Sequence, residues 1–160
     1  MQPVSSFPYR KDAASEILRV PPHSLEAEQA VLGGLMLDNA TWDQVADCLD
    51  ENDFYRNDHR LIFRAVRRLA ENSKPFDLLT LAEWLENNKK LEDAGGFAYL
   101  GVLARDTPSA ANVRAYANII RERAIRRELI RTATEIADSA YNPKGRDSRE
   151  LLDDAEKRVF

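Results

Sequence analysis

The chain has 160 residues, 44% of them hydrophobic and 31% charged, with a formal net charge of -4 and a sequence pI near 5.3. That length supports one ordinary domain with a real core, and the balance excludes a disordered or membrane-spanning chain. A single cysteine, Cys48, excludes an internal disulfide, and with only His23 and His59 beside it the usual Cys/His zinc site cannot be assembled. The N-terminus lacks an apolar stretch of signal-peptide length, so the cytoplasm is the expected compartment.

Residues 1–20 read as a disordered tail, with Pro3, Pro8, Ser5, Ser6, Lys11 and Asp12 scattered without periodicity. Order is expected from Pro21-Pro22. Ser24 is a good N-cap, Glu26 and Glu28 add acid to the first turn, and Leu25, Val31, Leu32, Leu35 and Met36 recur at helical spacing. Gly33-Gly34 interrupt this helix. Glycine there costs about 1 kcal/mol relative to alanine, so the pair reads as a point where another backbone crosses closely.

A second helix is expected from about residue 39, with Trp42, Val45, Ala46 and Leu49 as its buried stripe and Cys48 in the core. Phe54 and Tyr55 then plug the core from a turn. Asn57 is the candidate cap of a third helix carrying Leu61, Ile62, Ala65, Val66 and Leu69, and His59 beside Asp58 reads as a surface or capping residue. Thr80 and Glu83 have capping-box spacing before Leu81, Trp84 and Leu85. Gly95-Gly96 then turns into a short helix, Phe97 to Leu103, which includes Leu100. Apolar residues recur at three and four, with no sustained period-two alternation, so the fold class is all-α. The expected core is Leu32, Leu35, Trp42, Phe54, Phe63, Trp84 and Leu100.

From Ser109 to Tyr141 there is neither proline nor glycine, which predicts a helix on the order of 45 Å. Val113, Ala117, Ile120 and Ala124 share one face. Ile125, Leu129, Ala133, Ile136 and Ala140 share another, and Ile119, Ile130, Ala137 and Tyr141 form a third strip. One core cannot face all three, so the first half should pack on a globular head and the second half leave it. Asn142-Pro143-Lys144-Gly145-Arg146 is a stop and turn, and Asp147 with Glu150 opens a helix bearing Leu151, Leu152, Ala155 and Val159. The architecture expected is a small helical head over 21–108 followed by a projecting antiparallel helical hairpin over 109–160. The last helix still runs at Phe160 without a cap, which suggests a chain cut from something longer. Its bare faces call for a partner, and a two-fold dimer of hairpins is the simplest. The residues expected to make those contacts are Ile125, Leu129, Ile130, Ala133, Ile136, Ala137, Tyr141, Leu152 and Ala155.

Catalytic motifs are missing. Gly96 and Gly101 have phosphate-loop spacing, but Val102 and Leu103 stand where lysine and serine or threonine are needed. Acidic pairs such as Asp153-Asp154 read as solvated charge. Arg114, Arg121, Arg123, Arg126, Arg127 and Arg131 interleave with Glu122, Glu128 and Glu135 on the long helix. The first reading of this series is a salt-bridged, solvated face. A docking surface for an acidic protein and a nucleic-acid-binding regulatory helix are the alternatives.

Several segments resemble, in order, the start of bacterial replicative DNA helicases of the DnaB type. They are Pro-Pro-His-Ser-Leu-Glu-Ala-Glu-Gln-Ala-Val-Leu-Gly-Gly-Leu-Met-Leu-Asp-Asn (21–39), Asp-Phe-Tyr-Arg-Asn-Asp-His-Arg-Leu-Ile-Phe (53–63), Asp-Leu-Leu-Thr-Leu-Ala-Glu-Trp-Leu (77–85), Gly-Gly-Phe-Ala-Tyr-Leu (95–100) and Thr-Pro-Ser-Ala-Ala-Asn-Val-Arg-Ala-Tyr-Ala (107–117). The resemblance implies a non-catalytic collar domain whose hairpins pair, three pairs forming the collar of a hexamer. It also implies primase as a docking partner, with a helicase loader as a further candidate. ATP and Mg2+ would serve a motor domain beyond a linker, outside these residues, and this segment itself would need no cofactor. DNA would be bound by the full-length helicase and weakly or not at all by this part, and no membrane is involved.

Overall fold

A computed structural model describes residues 19–160 and shows an all-helical chain. The expected disordered tail lies, but for its last two residues, outside the described residues. Among those residues no strand occurs, and no helix is long and apolar enough to cross a membrane.

Helix α1 spans Leu25–Leu37, with the Ser24 hydroxyl accepting from the Ala27 amide at 3.2 Å. The second helix is shorter and more broken than its apolar stripe suggests. Asn39–Thr41 form a 3-10 turn and α2 is confined to Trp42–Val45. Asn39 explains the break. Its side chain turns inward to clamp the Phe76 backbone, accepting from the amide and donating to the carbonyl at 3.0 Å each. A second 3-10 turn, Glu51–Asp53, leads to Phe54, which is fully buried.

Helix α3 spans Asn57–Glu71, so Asn57 is its first residue rather than its cap, and Arg56 at the cap position makes no capping bond, its guanidinium donating to Asp58 instead. Helix α4 spans Leu78–Asn87. Its capping box pairs Asp77 with Thr80, not Thr80 with Glu83, and the Thr80 amide holds the Asp77 carboxyl below its ordinary pKa. Helix α5 spans Gly96–Asp106, so the near-miss phosphate loop is ordinary helix. Helix α6 spans Val113–Tyr141, four residues later than expected, because Ser109 turns its hydroxyl to the Ala111 amide. Helix α7 spans Ser148–Val159.

Leu32, Leu35, Phe54, Phe63 and Leu100 are fully buried in one core. Trp42 and Trp84 lie at its margin, half-buried rather than central, and so does Cys48, whose thiol is pushed up by partial burial. Val113, Ala117 and Ile120 complete the core, so the first turns of α6 belong to the head.

The glycine pair marks where α1 meets α5 and α6. A Cβ on Gly33 would lie 2.5 Å from the Leu103 carbonyl oxygen and would collide with the Thr107 hydroxyl, while one on Gly34 would meet a Val113 methyl at 2.5 Å. Gly33→Ala should therefore destabilise the fold by about 1–3 kcal/mol through overpacking, despite the better helix propensity of alanine. Gly34→Ala should cost less, since a side-chain tip can yield where backbone cannot. Urea midpoints of the two variants check the order.

Candidate functional site: the arm and its junction with the head

Arginines anchor α6 where it leaves the core. The Arg121 guanidinium donates to Asp53 Oδ1 at 2.8 Å, and Asp53 is buried. Arg127 donates to the carbonyls of Pro22 at 2.7 Å and Asp53 at 2.6 Å and lies over the Tyr55 ring. Partial burial lowers its pKa. Arg114 donates to the Gln44 carbonyl at 2.8 Å. Three members of the arginine series thus hold the arm to the head. Further out, Arg131 pairs with Glu128 and Glu135, which holds the Glu128 carboxyl below its ordinary pKa.

Beyond this junction α7 folds back along α6. Lys144 and Gly145 carry positive φ of 53° and 82°, which turn the chain, and Asp147 caps α7 by accepting from the Glu150 amide at 2.9 Å. Asp154 is no solvated charge, because Arg146 holds it at 2.6 Å, and Arg158 reaches Glu135 at 2.6 Å.

The three strips of α6 have separate fates. The strip of Val113, Ala117 and Ile120 enters the core, with Ala124 half-buried at its end. Ile136 lies half-buried in the hairpin, as do Leu151 and Ala155 of α7, while Ala140 is exposed. Ile125 and Leu129, on the same face, are 47% and 62% exposed beside the junction. The third strip is bare: Ile130 is 53% exposed, Tyr141 90%, and Ala137 is exposed between them, with Ala133 of the neighbouring strip exposed beside Ile130 and Ala137. Leu152 on α7 is also exposed. The structure brings Ile136 and Ala155 into the hairpin and leaves the other expected contact residues at the surface.

One polar cluster escaped the sequence reading. His59 is fully buried, contrary to its expected surface place, and Glu28 is 1% exposed. His59 Nδ1 lies 2.7 Å from Glu28 Oε1, and His59 Nε2 lies 2.6 Å from the Tyr99 hydroxyl. Glu28 Oε2 also accepts from the Tyr55 amide at 2.8 Å. Burial raises the Tyr99 pKa, opposed by its bond from Gln29. A signal was present: His59 precedes Ile62, Phe63 and Val66 by three, four and seven residues, and Glu28 precedes Val31, Leu32 and Leu35 likewise. Two polar residues, each on an apolar stripe, point to a buried pair. The cluster is satisfied and joins α1, α3 and α5, so it acts as a structural tie. Among the described residues no group of three or more His, Cys, Asp or Glu side chains could hold a metal ion.

Comparison with known proteins agrees with this architecture. Residues 20–122 match the model of the DnaB-like helicase N terminal domain. The replicative DNA helicase DnaB of Haemophilus influenzae is 48% identical over 149 residues, which cover 93% of this chain and 32% of that protein. The chain spans about a third of the length of the curated relatives it matches. The N-terminal domain of DnaB helicase from Mycobacterium tuberculosis superposes with a TM-score of 0.84 at 35% identity, covering 88% of this chain and 98% of that one. That of Helicobacter pylori, a domain that interacts with primase, gives 0.63 at 26% identity over 72% and 90%. A core built on Gly33-Gly34, an arm docked through Val113, Ala117 and Ile120, and these matches establish that the chain belongs to the DnaB-like helicase N terminal domain family.

Proposed function

We propose that this chain is the non-catalytic collar domain of a cytoplasmic replicative DNA helicase, pairing with a second copy through the hairpin and docking primase during DNA replication. The observation that carries this is the bare strip of Ile130, Ala137 and Tyr141, with Ala133 beside it, on an arm fixed to the head at its base. Apolar residues at helical spacing with no partner of their own are suited to pairing. Small residues at 133 and 137 let a second helix approach closely. In this reading three pairs form a hexameric collar, a helicase loader is a further partner, and ATP with Mg2+ serves the remainder of the helicase.

Light scattering over a wide concentration range should show a reversible dimer. Ile130→Asp should weaken it by about tenfold or more, because an unpaired charge would be buried in the interface. The same variant should bind primase more weakly. A monomer at every concentration would reassign the strip to a partner surface.

The nucleic-acid reading is weaker. Arg121 and Arg131 are paired with carboxylates, and Arg114 and Arg127 are committed to backbone carbonyls. A flat anisotropy titration with duplex and single-stranded DNA at low salt would remove it.

A further inference from the structure

Where the head, the base of the arm and the end of α7 meet, a groove of ≈ 530 Å³ opens. Five arginines from three helices line it: Arg60, Arg121, Arg127, Arg131 and Arg158. Among the described residues three carboxylates pair with them. Asp53 takes Arg121, Glu128 takes Arg131, and Glu135 is shared by Arg131 and Arg158. Arg60 and Arg127 donate only to carbonyl oxygens, Arg60 to that of Phe54 at 2.7 Å. Their charges are therefore not matched by a contacting acid. Burial lowers the Arg127 pKa and the like charge of Arg60 adds to that effect, opposed by the charges of Glu28 and Asp53.

The same groove is apolar along one side. Ile125 and Leu129 stand one turn apart on α6 with Val159 of α7 near them, and all three are about half exposed or more. A chain of net charge -4 thus concentrates excess positive charge beside an apolar ridge at one place. Phosphate alone would leave the ridge unused, and the groove has no aromatic ring on which a base could stack. A protein segment carrying carboxylates beside leucine-like side chains satisfies both parts. Carboxylates pair with guanidinium forks in strong, directional bonds, and the apolar residues cover the ridge.

We propose that this junction groove is a docking site for an acidic, amphipathic helical segment of another protein, its carboxylates facing Arg60 and Arg127 and its apolar side chains facing Ile125 and Leu129. The site is distinct from the bare strip around Ile130 and stands independently of the pairing it is proposed to make.

The test uses this chain and a short fluorescent helix-forming peptide with glutamates on one face and leucines at adjoining positions. Anisotropy should report salt-sensitive binding. Arg60→Glu and Leu129→Asp should each weaken it by about tenfold or more, while Ile130→Asp should leave it unchanged. Leu129 is exposed, so its variant reports on the groove even where Arg60→Glu perturbs folding. No binding, or equal binding of a glutamate peptide without leucines, would overturn the proposal. So would displacement of the peptide by single-stranded oligothymidylate at equal charge, or a self-association that Arg60→Glu and Leu129→Asp abolish and Ile130→Asp does not. The first of these last two outcomes assigns the groove to nucleic acid, the second to another copy of the chain.

Discussion

Replacing Glu28 with alanine is expected to cost about 3–5 kcal/mol of stability, the usual penalty for removing one partner of a buried polar pair. The carboxylate holds two groups, the fully buried His59 ring at 2.7 Å and the partly buried Tyr55 amide at 2.8 Å. A carboxylate only accepts, so Nδ1 of His59 is the donor to it. Loss of Glu28 strands that donor and the amide together. The damage should spread, because Tyr55 also stacks on His23 and lies under Arg127 at the base of the arm. Glu28→Leu combined with His59→Leu should cost clearly less than the sum of the two single changes. An apolar pair leaves fewer stranded groups than a half-broken polar one. Urea unfolding of the two single variants and the double variant makes a cycle that measures the coupling. Strict additivity would show that the two side chains do not act as a pair.

That cluster also shows why some of the molecule could be read in advance and some could not. Helical stripes are local. Val31, Leu32 and Leu35, or Val113, Ala117 and Ile120, announce a buried face within two turns of their own chain. Gly33-Gly34 stood out because glycine in a helix has a cost that only a close crossing explains. His59 did not stand out, because its partners lie 31 and 40 residues away, in α1 and α5, and its neighbour Asp58 suggested a surface. The caps failed for a related reason. Asn57, Thr80 and Glu83 have suitable chemistry, but the chain direction entering each helix decides which residue is the cap, and Asp77 won that place at α4. The three strips of α6 were visible, whereas their fates were not. Which strip receives α7 depends on the turn through Lys144 and Gly145, and the groove beside Ile125 and Leu129 exists only because α3, α6 and α7 converge there.

Phe63→Ala is expected to remove about 3–5 kcal/mol, a large part of the roughly 5–15 kcal/mol that holds a domain folded. Phe63 is fully buried, with Phe54 at 4.9 Å and Trp42 at 5.5 Å between ring centroids, and Arg67 lies over its face. The same truncation at Trp42 or Trp84 should cost less than at Phe63. Both are half-buried, so water and neighbouring side chains can fill part of the space they leave. The consequence of losing Phe63 should reach the arm. Phe54 follows Asp53 directly, and Asp53 holds Arg121 through its side chain and Arg127 through its carbonyl. A Phe54 ring that settles toward the cavity would pull this turn away from α6. Hydrogen exchange should therefore rise at the Glu51–Asp53 turn and along the base of α6 in Phe63→Ala, well before the α7 hairpin is affected. Trp84→Ala, at the far margin of the core, should loosen α4 without that signature. If both variants loosened the arm equally, the Phe54–Asp53 turn could not be the link between the core and the arm.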